Sequence, residues 1–188
     1  MCYRMLPPGH IAGGYLVGKV LLNFLPYSFA SAEVNQLLLM GALVGFAPDL
    51  DMFYAFNRLR GFRLARVDEY DNNHRTYISH APAVWLIAGL AIFLLAGTSF
   101  WKTFGLLIWL GGWSHFILDS LEWGVMWLWP FNKKEVYALA NKKYEARVHE
   151  AKGFVDYWLR YLLEDYAKHF TFYLEILIII TALIVLLD

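Results

Sequence analysis

From Ala81 to Trp101 the chain reads APAVWLIAGLAIFLLAGTSFW, with no charged side chain. At a rise of about 1.5 Å per residue such a run crosses the roughly 30 Å hydrocarbon core of a bilayer. Thr103 to about Leu121 is apolar again after Lys102, and Gly97 and Thr98 supply turn chemistry between them, which predicts a tight antiparallel hairpin. Phe170 to Leu187 reads FTFYLEILIIITALIVLL and predicts another span, with Glu175 as its only ionisable residue. Near the N-terminus Ile11 to Ala30 carries Lys19 and Pro26, and Val34 to Ala47 is short for a full crossing, so together they read as a helical hairpin.

The polar positions organise the rest. Asn132 to His169 is charge-rich, with Val148, Phe154, Val155, Trp158, Leu159, Leu162 and Leu163 at mostly helical spacing. This predicts an amphipathic helix on the membrane surface, or an ordinary helix packed on the bundle. Trp113, Trp123, Trp127 and Trp129 gather before Pro130, as where a helix meets the headgroup layer. Arg58, Arg60, Arg63, Arg66 and Arg75 lie in one polar loop, and eight of the sixteen basic residues lie between Lys133 and Lys168. Two spans separate these loops, so both face one side, which the positive-inside rule makes cytoplasmic. The expected architecture is all-α: a polytopic membrane bundle of about five transmembrane helices with an amphipathic cytoplasmic-surface helix. Residues 1–188 form one membrane domain, divided into a helical core over 1–131, the surface segment 132–169 and a C-terminal transmembrane helix over 170–188.

Composition agrees with this pattern. The 188 residues are 59% hydrophobic and 17% charged, far from the mean of soluble domains. Sixteen basic residues balance sixteen acidic ones, so no basic surface for nucleic acid is expected. The single cysteine, Cys2, has no second thiol for a zinc knuckle or redox pair, and any metal must therefore use His and carboxylates. The start of the chain, Met1-Cys2-Tyr3-Arg4 followed by two prolines, lacks the apolar core and cleavage site of a signal peptide and is expected to be retained.

Ionisable groups at or within a membrane are costly and are functional candidates. Four places stand out: His10 before the first span, Asp49 and Asp51 at the end of the second, His74, Arg75, Ser79 and His80 at the start of the third, and His115 with Asp119 near the end of the fourth. Topology drawn from Lys and Arg alone puts all four on the cytoplasmic face. His115 and Asp119 are four residues apart and share one helix face, so both side chains can reach one ion. With His10, Asp49 and His80 they offer three imidazoles and two carboxylates, a donor set that suits zinc, with manganese as the other choice.

Each residue also has a plainer reading. His10 is equally an exposed terminal histidine, and Asp49 a turn residue after Pro48. Asp51 is a turn residue, a group that orients a ligand, or a base. His74 and His80 are six apart and cannot share a straight helical face, so one ligates, and His80 is nearer the span. Arg75 follows the positive-inside rule or grips a phosphate oxygen. Ser79 is an N-cap before it is a nucleophile, and Glu122, three after Asp119, is a base or an interfacial carboxylate reaching water. His149, His169 and Glu175 read as surface or packing residues.

Several of these motifs together resemble a known family. Gly9-His10, GALVGFAPDLD over residues 41–51, His74-Arg75, Ser79-His80, SHFILDS over residues 114–120 and Trp129-Pro130-Phe131 resemble the YdjM-like family of membrane-bound metal-dependent hydrolases, over roughly residues 8–131. That family looks distantly similar to the zinc-dependent phospholipase C and single-strand nuclease superfamily. The resemblance implies His10, Asp49, His80, His115 and Asp119 as metal ligands. A second His-x-x-x-acid element has no counterpart after Asp119, so no three-metal site is expected.

The leading expectation is thus a hydrolase of the inner (plasma) membrane. Its metal acidifies a water and polarises a phosphoryl oxygen, Asp51 or Glu122 takes the proton, and Arg75 faces the phosphate. The substrate class is a phospholipid or another phosphoester at the cytoplasmic surface. The alternatives are a metal-binding or transport protein, and a structural membrane protein whose His and Asp groups only hydrogen-bond. Against transport, mid-membrane Lys19 and Glu175 form no evident chain, and five helices give no inverted repeat.

Overall fold

The computed structural model describes residues 6–58, 77–121, 124–132 and 152–188, which form helices and turns with no β-strand among them. In chain order the helices are α1 (Pro7–Phe24), α2 (Ser31–Phe46), α3 (Asp51–Arg58), α4 (Pro82–Leu95), α5 (Ser99–Ser120), α6 (Phe154–Arg160) and α7 (Phe170–Leu187). Tight 3-10 turns at Ala47–Leu50 and Ile78–His80 lead into α3 and α4. Helix α5 is the centre of the bundle, lying against α1, α2 and α4, while α1 also packs on α2 and α7.

Local chemistry explains the boundaries. Helix α1 opens on two prolines, whose fixed φ suits a first turn and whose missing N–H is no loss there. It stops at Phe24 because Leu25 precedes Pro26 and is extended, so the predicted segment to Ala30 is cut short. The charge-free run Ala81 to Trp101 is not one span. Helix α4 ends at Leu95, and α5 starts anew where the Thr98 side chain accepts the Trp101 N–H at 3.4 Å. The segment judged short from sequence is the longer one. Pro48 is absorbed in a 3-10 turn instead of ending the helix, and the apolar run continues from Ser31 to Tyr54, 24 residues.

By length and composition, two described helices can cross a membrane: this run and the 18 residues of α7. The 14 residues of α4 reach only about 21 Å, against roughly 30 Å of hydrocarbon. The expected count of about five spans therefore does not follow from helix length and composition. Of the amphipathic segment, residues 133–151 lie outside the described residues, and from Phe154 to Lys168 the chain is helical throughout, passing from a short α6 to a π-helical stretch at Tyr161–Asp165 and a 3-10 turn at Tyr166–Lys168. Val155, Leu159 and Leu163 are exposed there. Asp156 accepts the Lys152 N–H at 2.9 Å and pairs with Arg160 at 2.8 Å, which together hold its carboxyl below the usual range.

Glycines let the helices touch backbone to backbone. A methyl group at Gly14 would strike the Gly41 carbonyl oxygen, and one at Gly45 would strike the His10 carbonyl oxygen and come within 2.9 Å of the Gly14 Cα. In α4 and α5, a methyl at Gly105 would lie 2.7 Å from the Gly89 carbonyl oxygen. Small residues of this kind permit close helix approach where apolar lipid offers no hydrophobic drive between helices. The α1–α2 contact has a direct result, since it brings His10 beside Gly45, one turn before Asp49. Gly45→Ala is expected to destabilise the protein by roughly 1–3 kcal/mol, because backbone must move to admit the methyl. Gly97→Ala, with nothing within 4 Å of the added carbon, should leave the unfolding midpoint in detergent unchanged.

Candidate metal centre

Four separate elements each present part of one polar cluster. His10 lies in the first turn of α1, Asp49 in the 3-10 turn after α2, His80 at the end of the turn before α4, and His115 with Asp119 one turn apart on α5. The three histidines are fully buried, and the two aspartates are 3% exposed. His10 stacks on His115 with ring centres 3.9 Å apart, and His80 meets His115 edge-on at 5.4 Å.

The Nε2 atoms converge on the two carboxylates. His115 Nε2 is 3.6 Å from Asp49 Oδ1 and 3.5 Å from Asp119 Oδ2. His80 Nε2 is 3.5 Å from Asp49 Oδ1 and 4.0 Å from Asp119 Oδ2, and His10 Nε2 is 3.5 Å from Asp119 Oδ1 and 3.9 Å from Asp49 Oδ2. Charge-assisted hydrogen bonds would close such gaps to about 2.7–2.9 Å. Two donors each about 2.1 Å from a common zinc ion stand roughly 3.5 Å apart in tetrahedral geometry. The separations here thus have the width of an ion and not of a proton. Two sets, His10, Asp49, His115 and His80, His115, Asp119, each gather one ligand atom per residue within 4.8 Å of one another.

Hydrogen bonds on the far side of the rings fix which nitrogen faces the cluster. His115 Nδ1 lies 3.0 Å from the Gly45 carbonyl oxygen, which can only accept, so Nδ1 is the donor there and Nε2 is the nitrogen that faces the carboxylates. The shift to 3-10 bonding at Ala47–Leu50 makes this possible, because it leaves carbonyls at the end of α2 open to an outside donor. His80 Nδ1 lies 2.8 Å from Asp51 Oδ2, and Ser79 Oγ donates to the same oxygen. Asp51 therefore stands behind His80, where a carboxylate orients a metal-binding imidazole. Among the described residues Asp49 Oδ1 and His115 Nε2 have no hydrogen-bond partner. Lone pairs and carboxylate oxygens facing one another in a buried place repel unless a positive charge, a metal ion or a proton held by an imidazole, sits among them. Three imidazoles and two carboxylates fit a divalent ion in donor type, and the two carboxylates match its charge.

Of the residues expected at the site, the structure brings together His10, Asp49, His80, His115 and Asp119, with Asp51 and Ser79 behind His80. Arg75, Glu122 and His74 lie outside the described residues. Several supports escaped the sequence reading. The indole of Trp85 donates to the Ser79 carbonyl at 2.7 Å and that of Trp113 to the Pro82 carbonyl at 3.0 Å, bracing the turn that carries His80. Trp127 donates to Ser120 Oγ at 2.7 Å, and Gly124, at φ 87°, returns its N–H to the Asp119 carbonyl at 3.2 Å, closing the end of α5. Trp113 and Trp127 read from sequence as part of an interfacial belt and Trp85 as part of an apolar run, and only their indole N–H groups, which need partners when buried, hinted at more. Glu175, read as a surface or packing residue, is 4% exposed and accepts N–H groups from Leu6 and Gly9.

The fold and the cluster together define a helical membrane protein with a buried His/Asp centre able to hold a metal. The family model of the YdjM inner membrane protein matches residues 5–187, and the chain belongs to that family. The match extends past the motifs that carried the resemblance and takes in the surface segment and α7. No curated protein and no solved structure matches the chain significantly.

If Asp51 sets the aim of His80, Asp51→Ala should weaken zinc binding by roughly 10–100-fold in a chelator competition, and Asp51→Asn by less. Unchanged affinity in both variants would show that His80 needs no such brace.

Proposed function

We propose that this protein is a membrane-embedded, metal-dependent hydrolase that cleaves a phosphoester, of a phospholipid or a similar substrate, at the cytoplasmic face of the inner membrane. The observation that carries the reading is the set of six Nε2 to carboxylate separations between 3.5 and 4.0 Å, made by buried residues of four elements. His10, Asp49, His80, His115 and Asp119 hold the ion, and zinc is favoured over manganese because imidazole outnumbers carboxylate. When bound, the ion supplies Lewis acidity toward a phosphoryl oxygen and makes water more acidic.

The chain's own residues supply the rest. Asp51 lies on the Nδ1 side of His80, which suits positioning and leaves Glu122, three residues beyond Asp119, as the group to accept a proton from water. Arg75, one residue after His74, is placed by sequence to hold a phosphate oxygen bidentately. The topology is about five spans, with the two basic segments, and so the metal site, on the cytoplasmic side. Membership of an inner membrane family and the exposed apolar length of α7 support a bilayer as the constant partner.

Metal analysis of protein purified in detergent tests the first half: about one zinc per chain is expected, and His115→Ala or Asp119→Ala should remove it. Full metal content in both variants would place the ion elsewhere. For the second half, zinc-loaded protein is expected to release product from phospholipid vesicles, to stop when a chelator strips the metal, and to recover when zinc returns. Loaded protein inert to every lipid and nucleotide phosphoester offered would instead favour a metal-binding, transport or structural role.

A further inference from the structure

We propose that Glu175 of α7 is a positioning residue for the metal centre: its carboxylate caps the N-terminus of α1 and so fixes His10, the first-turn ligand. The proposal rests on the metal reading above.

The first four N–H groups of an α-helix have no partner inside it. For α1 these positions are Leu6, Pro7, Pro8 and Gly9, and the two prolines carry no N–H. Leu6 at the cap supplies no side-chain acceptor. Only two donors are left, and Glu175 takes both, Oε2 at 3.1 Å from Leu6 N and Oε1 at 3.0 Å from Gly9 N. Gly9 N shares its bond with the Leu6 carbonyl oxygen at 3.0 Å. A carboxylate also suits the positive end of the helix dipole. The cap therefore comes from the other end of the chain, 166 residues away from Gly9.

Two further contacts hold the carboxylate in place. The Tyr166 hydroxyl, from the 3-10 turn ahead of α7, donates to Glu175 Oε2. At Gly9 an added Cβ would lie 2.7 Å from Glu175 Cγ, so the approach requires a residue without a side chain. His10 is the next residue, fully buried, with its Nε2 3.5 Å from Asp119 Oδ1. A small turn or slide of this first helical turn would carry Nε2 away from the ion's position, since ligand distances tolerate only about 0.2 Å. Helix α7 thus does more than cross the bilayer: it locks one wall of the metal centre.

Zinc affinity by chelator competition, measured on full-length protein in detergent, tests this with a double-mutant cycle. Glu175→Gln keeps the shape and one acceptor oxygen, and should weaken zinc binding about tenfold, with Glu175→Leu weaker still. In a His10→Ala background the same Glu175→Gln change should cost no further affinity, because its effect runs through His10. Hydrogen exchange of peptides covering residues 6–12 should quicken in both Glu175 variants while α5 peptides stay protected, which separates a lost cap from general unfolding. Wild-type affinity in both Glu175 variants, or an equal loss with and without His10, overturns the proposal. Wild-type protein that takes up no zinc overturns the metal reading itself, a result told apart from the case in which wild type binds zinc and the Glu175 variants bind it equally well.

Discussion

Two carboxylates, Asp49 and Asp119, and three imidazoles, His10, His80 and His115, are buried together with their lone-pair atoms facing inward. Such a group is unstable alone, since negative charge removed from water must be matched by a counter-charge close at hand. The helix packing and the turns between helices hold these five side chains together. Hydrogen bonds to Asp51 and to the Gly45 carbonyl take up the Nδ1 atoms of His80 and His115, so that their Nε2 atoms turn to the centre.

Helix packing makes that convergence possible. Glycine contacts between α1 and α2 set His10 against Gly45, and the 3-10 turn at Pro48 then swings Asp49 into the same space. On α5 the helical repeat aligns His115 with Asp119, and the extended Tyr77 and Ala81 on either side of a single turn present His80 from the opposite direction. The cluster is thus assembled from helix ends and the turns beside them. The indoles of Trp85 and Trp113 brace the turn that carries His80.

The chain belongs to an inner membrane protein family, and its His/Asp cluster is buried among helices of one bundle. The outer surface of α7 is apolar, and Val155, Leu159 and Leu163 are exposed. The family match spans these segments as well as the motif-bearing core, in keeping with one unit whose C-terminal helix is tied by Glu175 to its N-terminal one.

Legible in the sequence were the all-helical class, the apolar segments, and the five residues that the structure brings together, because hydropathy and the i, i+4 spacing of His115 and Asp119 are local and the other three residues fall at segment ends. It misjudged lengths: Ala81 to Trp101 read as one span since no charge interrupts it, yet Thr98 restarts a helix there, and Val34 to Ala47 read as short where a 3-10 turn carries the apolar run on past Pro48. Arg75 and Glu122 were legible only as residue types in order. What the tertiary structure alone decided is partnership across long separations: Asp51 with His80, Gly45 with His115, and Glu175 with Leu6 and Gly9. A carboxylate or a carbonyl carries no sign in the sequence of which distant donor it will serve, because that choice is made by how closely the helices pack, and closeness here rests on glycines whose role appears only when the two backbones meet.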